Sequence, residues 1–172
     1  MSNKKTIGRA VKIDLPTEGI DGVLAKIDTG ADYSSIWASE LEMSQDGVLS
    51  YVFFAKGSQY YSGKRHKSSQ YKVRRVWSSH GVPQVRYRVK MTIVVEGRRI
   101  RGTFTLADRS QNNYPVLLGC RLLNGKFLVD VSKGFKMKRQ EISAKQLTLE
   151  AKQDPVVFFK KYYKSNNREE VE

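Results

Sequence analysis

The chain has 172 residues, a formal net charge of +14 at pH 7 and 40% hydrophobic residues, a balance that suits one basic globular domain. Its single cysteine cannot form an internal disulfide, and no stretch has the character of a signal peptide or a membrane-spanning helix. These features exclude a disulfide-framed secreted module and a helical membrane protein, and we expect a cytoplasmic protein that does not associate with membranes.

The first third of the chain reads as β-structure. Residues 7–15 place apolar side chains on one side, which predicts a half-buried strand. An apolar, β-branched run then delivers Asp28 to a turn made by Thr29 and Gly30. Residues 34–42 are compatible with a further strand or with the start of a helical turn.

The next segment, residues 44–71, is loosely patterned and rich in Gly, Ser, Lys and aromatic residues. It predicts one short strand near 48–55, followed by a mobile basic loop whose tyrosines act as anchors rather than as stacking platforms for bases. Two histidines are present, His66 and His80, and their loop-type surroundings predict solvated side chains rather than metal ligands.

Two β-rich runs, 71–77 and 85–95, flank a polar connection and predict a hairpin. Its basic positions alternate with apolar ones, so they should face solvent or an acidic substrate; they are Arg74, Arg75, Arg86 and Arg88. The positive charge as a whole is scattered and carries no nucleic-acid-binding signature, so nucleic acid is a possible partner but is not favoured.

The last third predicts a strand ending at Gly119, a short helix over 120–124 and another strand over 127–131. Beyond residue 132 the composition changes. Residues 141–152 predict a helix that the Asp-Pro pair at 154–155 ends, and the apolar segment 156–163 should pack on the domain or on a partner.

Two motifs are candidates for parts of a catalytic site. Asp28-Thr29-Gly30 places a carboxylate on a tight turn, and Leu117-Leu118-Gly119 places two apolar residues before a glycine and a short helix. Together they resemble the aspartic proteases of the single-lobe, retroviral type. Further stretches are similar to a bacterial retropepsin-like family often labelled ATP-dependent zinc proteases: 7–16, 106–109, 114–119 and 125–132.

The resemblance implies a mainly β, closed retropepsin-like barrel with a flap hairpin and one short helix over residues 1–135, with an insertion at about 44–71. A C-terminal helical extension would occupy 136–172. Since the chain holds one Asp-Thr-Gly turn and the chemistry needs two carboxylates that share a proton, it also implies a homodimer that cleaves polypeptides. The implied site residues are Asp28, Thr29 and Gly30 for catalysis; Ala31, Asp32, Ser79, His80, Gly81 and Val82 for substrate binding, the last four at the flap tip; and Leu117, Leu118 and Gly119 for structural support.

Neither half of the family label finds support in the motifs. The sequence has no glycine-rich phosphate loop and no His-Glu-x-x-His pair, so we expect no cofactor and no metal. One position departs from the retroviral pattern: Cys120 stands where an arginine would hold Asp32. Either Arg121 or Arg9 replaces that arginine, or Asp32 is solvated.

Two other functions stay open at this stage. The same fold could serve as a non-catalytic binding module for an acidic protein or RNA. A metal-dependent hydrolase, as the family label suggests, is the weaker alternative because ligands are lacking.

Overall fold

The structure is a computed structural model, and it describes residues 4–77, 83–134 and 144–164. The chain divides into two compact units, Met1–Met137 and Lys138–Glu172. In the described ranges the first unit consists of strands and one short helix, and the second consists of helices.

The strands are β1 (Lys5–Ile7), β2 (Ala10–Leu15), β3 (Ile20–Asp28), β4 (Ser34–Met43), β5 (Leu49–Phe53), β6 (Arg65–Ser68), β7 (Lys72–Trp77), β8 (Pro83–Val95), β9 (Arg98–Ala107), β10 (Val116–Gly119) and β11 (Phe127–Val129). The helices are α1 (Cys120–Leu123), α2 (Ala144–Gln153) and α3 (Pro155–Phe159), the last continued by a π-helical turn over Lys160–Lys164.

Six strands close a barrel in the order β10-β3-β2-β8-β9-β4, because β4 also pairs with β10. The strands β5 and β6 extend the sheet beyond β4, β7 pairs with β8, and β1 forms a separate parallel pair with β11. This arrangement confirms the predicted mainly β, closed retropepsin-like barrel.

The barrel interior is filled by alternate residues of its strands, as the period of two predicts. Ile13, Val23, Ile93 and Phe104 are fully buried members of one continuous apolar cluster. Burying such side chains is the main favourable term in folding, and here it fixes the position of β3, the strand that ends at Asp28.

Two predicted elements differ in the structure, and one that was left open, residues 34–42, belongs to the strand β4. The strand over 7–15 is interrupted at Gly8, where a Cβ would lie 2.5 Å from the backbone nitrogen of Gly134. The prediction of an irregular loop after β5 is wrong for β6, because Tyr51 pairs across the ladder with His66 and the side chain of Arg65 bonds Glu40 at 2.6 Å.

Within that insertion the tyrosine prediction is confirmed for Tyr60. Its hydroxyl donates to the carbonyl oxygen of Gly22 at 3.5 Å and accepts from the amide of Leu24 at 3.4 Å. The insertion is thereby anchored to β3, the strand that ends at Asp28.

Replacing Leu118 with alanine should lower the free energy of unfolding by about 3 kcal/mol, because its fully buried side chain leaves a cavity. The neighbouring Leu117 is only partly buried, so Leu117→Ala should cost about 1 kcal/mol. Urea unfolding of both variants measures the difference, and equal losses would contradict the inward orientation of Leu118.

The second unit contains α2 and α3, which confirms the predicted helical extension. Asp154 caps α3 by accepting from the amide of Val157 at 2.9 Å, with Pro155 in the first turn. The apolar side chains of Val156, Val157 and Phe159 are more than half exposed. That this segment packs on the domain or a partner stays a prediction.

Candidate active site

Asp28 is the last residue of β3, and its position is set by β10. The two strands run parallel, with Leu118 beside Ile27 and Gly119 beside Asp28. The two motifs found far apart in the sequence are therefore direct neighbours in the sheet, and the Asp28 carboxyl group stands partly exposed at the strand end.

The turn after Asp28 is closed by its own hydrogen bonds. The amide of Gly30 donates to Oδ1 of Asp28 at 3.2 Å, and the amide of Ala31 donates to the carbonyl oxygen of Asp28 at 3.3 Å. A Cβ on Gly30 would lie 3.6 Å from that Oδ1, so the glycine leaves one side of the carboxylate open. Thr29 is exposed, which leaves its hydroxyl available to a second molecule.

Gly119 joins the turn to the helix behind it. Its amide donates to Oγ of the buried Ser34 at 3.1 Å. The next two amides, those of Cys120 and Arg121, donate to the carbonyl oxygens of Ala31 and Asp32 at 2.7 and 3.1 Å. A Cβ on Gly119 would lie 2.6 Å from the backbone of Tyr33. Gly119 and the two amides after it thus pack and bond against the turn, whereas structural support by Leu117 and Leu118 stays a prediction.

Cys120 also contacts the turn directly, because its Sγ donates to the carbonyl oxygen of Thr29 at 2.8 Å. Of the alternatives for Asp32, the structure favours solvation. The Asp32 side chain is exposed, whereas the guanidinium of Arg121 lies over the ring of Tyr33. The backbone of Arg9 bonds Ile27 and Lys133.

The hairpin above the turn is present as the antiparallel pair β7 and β8, in register from Lys72 with Arg88 to Trp77 with Pro83. The predicted flap tip, Ser79, His80, Gly81 and Val82, lies outside the described residues. Its role in substrate binding stays a prediction.

One arginine without a predicted role, Arg109, interacts with Asp28, and a second, Arg86, interacts with Arg109. Burial lowers the pKa of Arg109, the neighbouring guanidinium of Arg86 lowers it further, and the Asp28 carboxylate acts in the opposite direction. The Arg109 Nε donates to the carbonyl oxygen of Tyr114 at 2.9 Å, which fixes the side chain. The Asp28 carboxylate is therefore within electrostatic range of Arg109.

A second group of arginines surrounds Tyr33, five residues after Asp28. The guanidinium carbons of Arg74, Arg88 and Arg121 lie 4.4, 3.8 and 4.5 Å from the centre of its ring. Cations over an aromatic face are attracted by the ring quadrupole. The four residues come from four separate stretches of the chain, so sequence spacing gave no signal for this cluster.

Tyr33, Arg88 and Arg121 also line a cavity of about 810 Å³ between the hairpin, β6, β9 and α1. Its described lining contains no aspartate or glutamate. The lysines and arginines that line it are Lys67, Lys72, Arg88, Lys90, Arg101, Arg121 and Lys126. A concave surface with charges of one sign concentrates ligands of the opposite sign.

His66 lies at the edge of this cavity, and the prediction of a solvated side chain is wrong for it. Its side chain is only 17% exposed, stacks on Tyr51 and places Nε2 2.9 Å from a carboxylate oxygen of the buried Glu18. Burial also raises the pKa of Tyr51 to about 12, with Glu18 adding to the effect. His80 is not among the described residues.

The stability of the barrel should depend on pH through His66. Burial lowers its pKa below the ordinary 6.5, and the attraction of Glu18 offsets only part of this effect. Because the unfolded chain then binds a proton that the folded chain does not, the free energy of unfolding should fall as the pH drops through 6.5. Urea unfolding at pH 8 and pH 5.5 should show a smaller difference in His66→Gln, and an unchanged difference would contradict this origin.

In the ranges 4–77, 83–134 and 144–164, no three His, Cys, Asp or Glu side chains are grouped as metal ligands would be. Across the same ranges, none of the helices combines the length and the apolar character required to cross a bilayer.

The closed barrel, the Asp-Thr-Gly turn and the glycine beneath it define a protein of the retropepsin-like class. The profile of the RimB-like family, described as retropepsin-like aspartic endopeptidase RimB, matches residues 6–140. The chain belongs to this family.

Curated relatives are longer proteins. The chain is 30% identical over 149 residues to a "Probable alpha-L-glutamate ligase" of Shewanella halifaxensis and 29% identical to one of Shewanella pealeana. Each match covers 84% of the chain but 32% of the relative. Among solved structures, Lpg0085 of Legionella pneumophila, a protein of unknown function, shares the fold with a TM-score of 0.59, at 23% identity over 80% of this chain and all of the other.

Proposed function

We propose that the protein is an aspartic-type endopeptidase whose active site forms from two chains, each supplying Asp28. The observation that carries the proposal is the turn itself: a carboxylate at a strand end, bonded by the amide of Gly30 and supported from beneath by Gly119. Family membership supports the same reaction class.

In this mechanism the two Asp28 carboxyl groups share one proton, because two carboxylates at close range do not ionise together. One carboxylate accepts a proton from a water molecule while the other donates its proton to the substrate carbonyl oxygen. The water oxygen bonds the carbonyl carbon. The Asp28 carboxyl group that took the water proton then donates it to nitrogen, the C–N bond breaks, and the other Asp28 carboxylate recovers a proton from a hydroxyl of the tetrahedral intermediate. The Asp28 pair returns to its starting state, and the hairpin of β7 and β8 excludes water during the reaction.

The proposed substrate is an acidic polypeptide. The positively charged cavity beside Tyr33 supports this class. The curated relatives carry a glutamate ligase name, and the chain corresponds to about a third of their length. We therefore propose that this part acts on glutamate-rich chains, while ligation belongs to the remainder of those longer proteins.

The test uses two quenched fluorescent peptides of equal length, one glutamate-rich and one glutamine-rich. We expect faster cleavage of the glutamate-rich peptide, inhibition by a pepstatin-type transition-state mimic and no effect of a chelator. Loss of cleavage on chelation would overturn the proposal in favour of a metal-dependent hydrolase. Tight binding of the acidic peptide without cleavage at any pH would instead favour the non-catalytic binding module.

A further inference from the structure

The cluster of Tyr33 with Arg74, Arg88 and Arg121 destabilises the protein electrostatically when no ligand is bound. Three guanidiniums within 4.5 Å of one ring centre repel one another, and the quadrupole of one ring offsets only part of that repulsion. The described residues provide none of these three guanidiniums with an ion-pair partner. An anion that enters the cluster would relieve this repulsion.

The hairpin places further positive charges close to one another. In its register Lys72 lies directly opposite Arg88, and Arg74 lies directly opposite Arg86, so four cations project from one face. Like charges directly across a ladder destabilise a sheet. Charge placed this way is better explained by a ligand than by the stability of the hairpin.

One atom of the cluster lacks a partner. The Nε of Arg88 is buried and donates to no acceptor in the described part of the chain. Buried donors are nearly always bonded to protein, water or ligand, so the Arg88 Nε can take an acceptor that the described chain does not supply. Arg88 is also the arginine nearest to the Tyr33 ring, at 3.8 Å, and it lines the cavity.

The cluster is rigidly connected to the catalytic turn. Backbone amides of Cys120 and Arg121 bond the carbonyl oxygens of Ala31 and Asp32, which fixes the backbone before Tyr33. Gly119 packs against the Tyr33 backbone itself. A ligand held by the cluster is therefore held at a fixed position relative to Asp28.

We propose that Tyr33 is a specificity-determining residue: its ring orders Arg88 and Arg121 into a subsite that receives one carboxylate side chain of the substrate. This inference rests on the proposed peptidase function, and it identifies the residues that bind the acidic side chain of the substrate. Arg88 bonds the carboxylate through its planar fork, a geometry that matches both carboxylate oxygens. Arg74 and Lys72 contribute charge from the rim.

Binding to catalytically disabled protein separates this subsite from the reaction. We would measure fluorescence anisotropy of labelled hexaglutamate and hexaglutamine on the full chain carrying Asp28→Asn. Hexaglutamate should bind at least about tenfold more tightly, and the double change Arg88→Gln with Arg121→Gln should remove most of that preference, since a charge-assisted hydrogen bond contributes about tenfold or more. Tyr33→Phe should retain it, because the ring remains, whereas Tyr33→Leu should weaken it.

The matched control removes two positive charges elsewhere. Lys12 and Lys56 are exposed and do not line the cavity, so Lys12→Gln with Lys56→Gln should preserve the preference for hexaglutamate. Thermal melting of every variant identifies any that fails to fold, and Arg121→Gln alone, at an exposed position, then supplies the test.

Three outcomes would overturn the subsite. They are equal binding of the two peptides, an equal loss in the lysine control, and tighter binding of a single-stranded RNA of matched charge that the same arginine changes abolish. Peptide cleavage by the unmodified protein is scored separately. If it cleaves glutamate-rich and glutamine-rich peptides with a ratio of kcat/KM that Tyr33→Leu leaves unchanged, the peptidase function stands and the subsite falls.

Discussion

Replacing Asp28 with asparagine should lower kcat for peptide hydrolysis by about 10³-fold or more, because the amide can neither accept the proton of water nor pass one to the substrate. The substitution is nearly isosteric. Gly30 still finds an oxygen acceptor at position 28, so the turn and its bond to Gly30 should persist. Steady-state kinetics on a glutamate-rich peptide measures the loss.

The control for this substitution lies on the same strand. Asp21 is exposed near the other end of β3, and Asp21→Asn removes the same charge without touching the turn. It should retain full activity. Substantial turnover by the Asp28 variant, with normal folding of both proteins, would assign the reaction to another group.

Replacing Gly119 with alanine should lower the free energy of unfolding by about 4 kcal/mol, compared with about 1–3 kcal/mol for most overpacked sites. The added Cβ would meet the Tyr33 backbone at 2.6 Å and the carbonyl oxygen of Ala31 at 2.7 Å. Those are main-chain atoms, so no side-chain rotation relieves the contact, and the catalytic turn must move. Activity should be lost together with stability.

Gly57 supplies the comparison. It has a positive φ of 92° and open space around it, so Gly57→Ala meets backbone strain alone and should cost about 1–2 kcal/mol. Urea unfolding and peptide cleavage measured on both variants separate the two effects. A Gly119 variant as stable and as active as the Gly57 variant would mean that the turn is not packed against the helix in the way described.

The separate elements could be predicted because their signals are local, whereas the closed barrel followed from the resemblance of the two motifs to retropepsins. Alternating strands, a two-stranded hairpin and a helix ending before Gly125 each follow from a period or a turn residue, and the two motifs indicated that Asp28 and Gly119 would meet. The strand β6 was missed because its residues, Arg65–Ser68, have no apolar alternation. Their pairing depends on distant partners, the β5 ladder and Glu40.

The positions of the arginines around Tyr33 and near Asp28 could not be predicted from the sequence, for a different reason. The cluster around Tyr33 and the position of Arg109 near Asp28 arise where separate strands and loops converge. The position of an arginine in the sequence does not determine which aromatic ring its guanidinium contacts. Arg9 and Arg121 were the candidate cations for Asp32, whereas the cation that interacts with Asp28 is Arg109, from the loop before β10.

The central claim is that each chain supplies half of an active site. Calorimetric titration of the protein with a tight pepstatin-type transition-state mimic measures this directly, since the mimic occupies a complete dyad. The account predicts saturation at one inhibitor for every two chains. Saturation at one inhibitor per chain, or tight binding to a protein that stays monomeric at the working concentration, would contradict it.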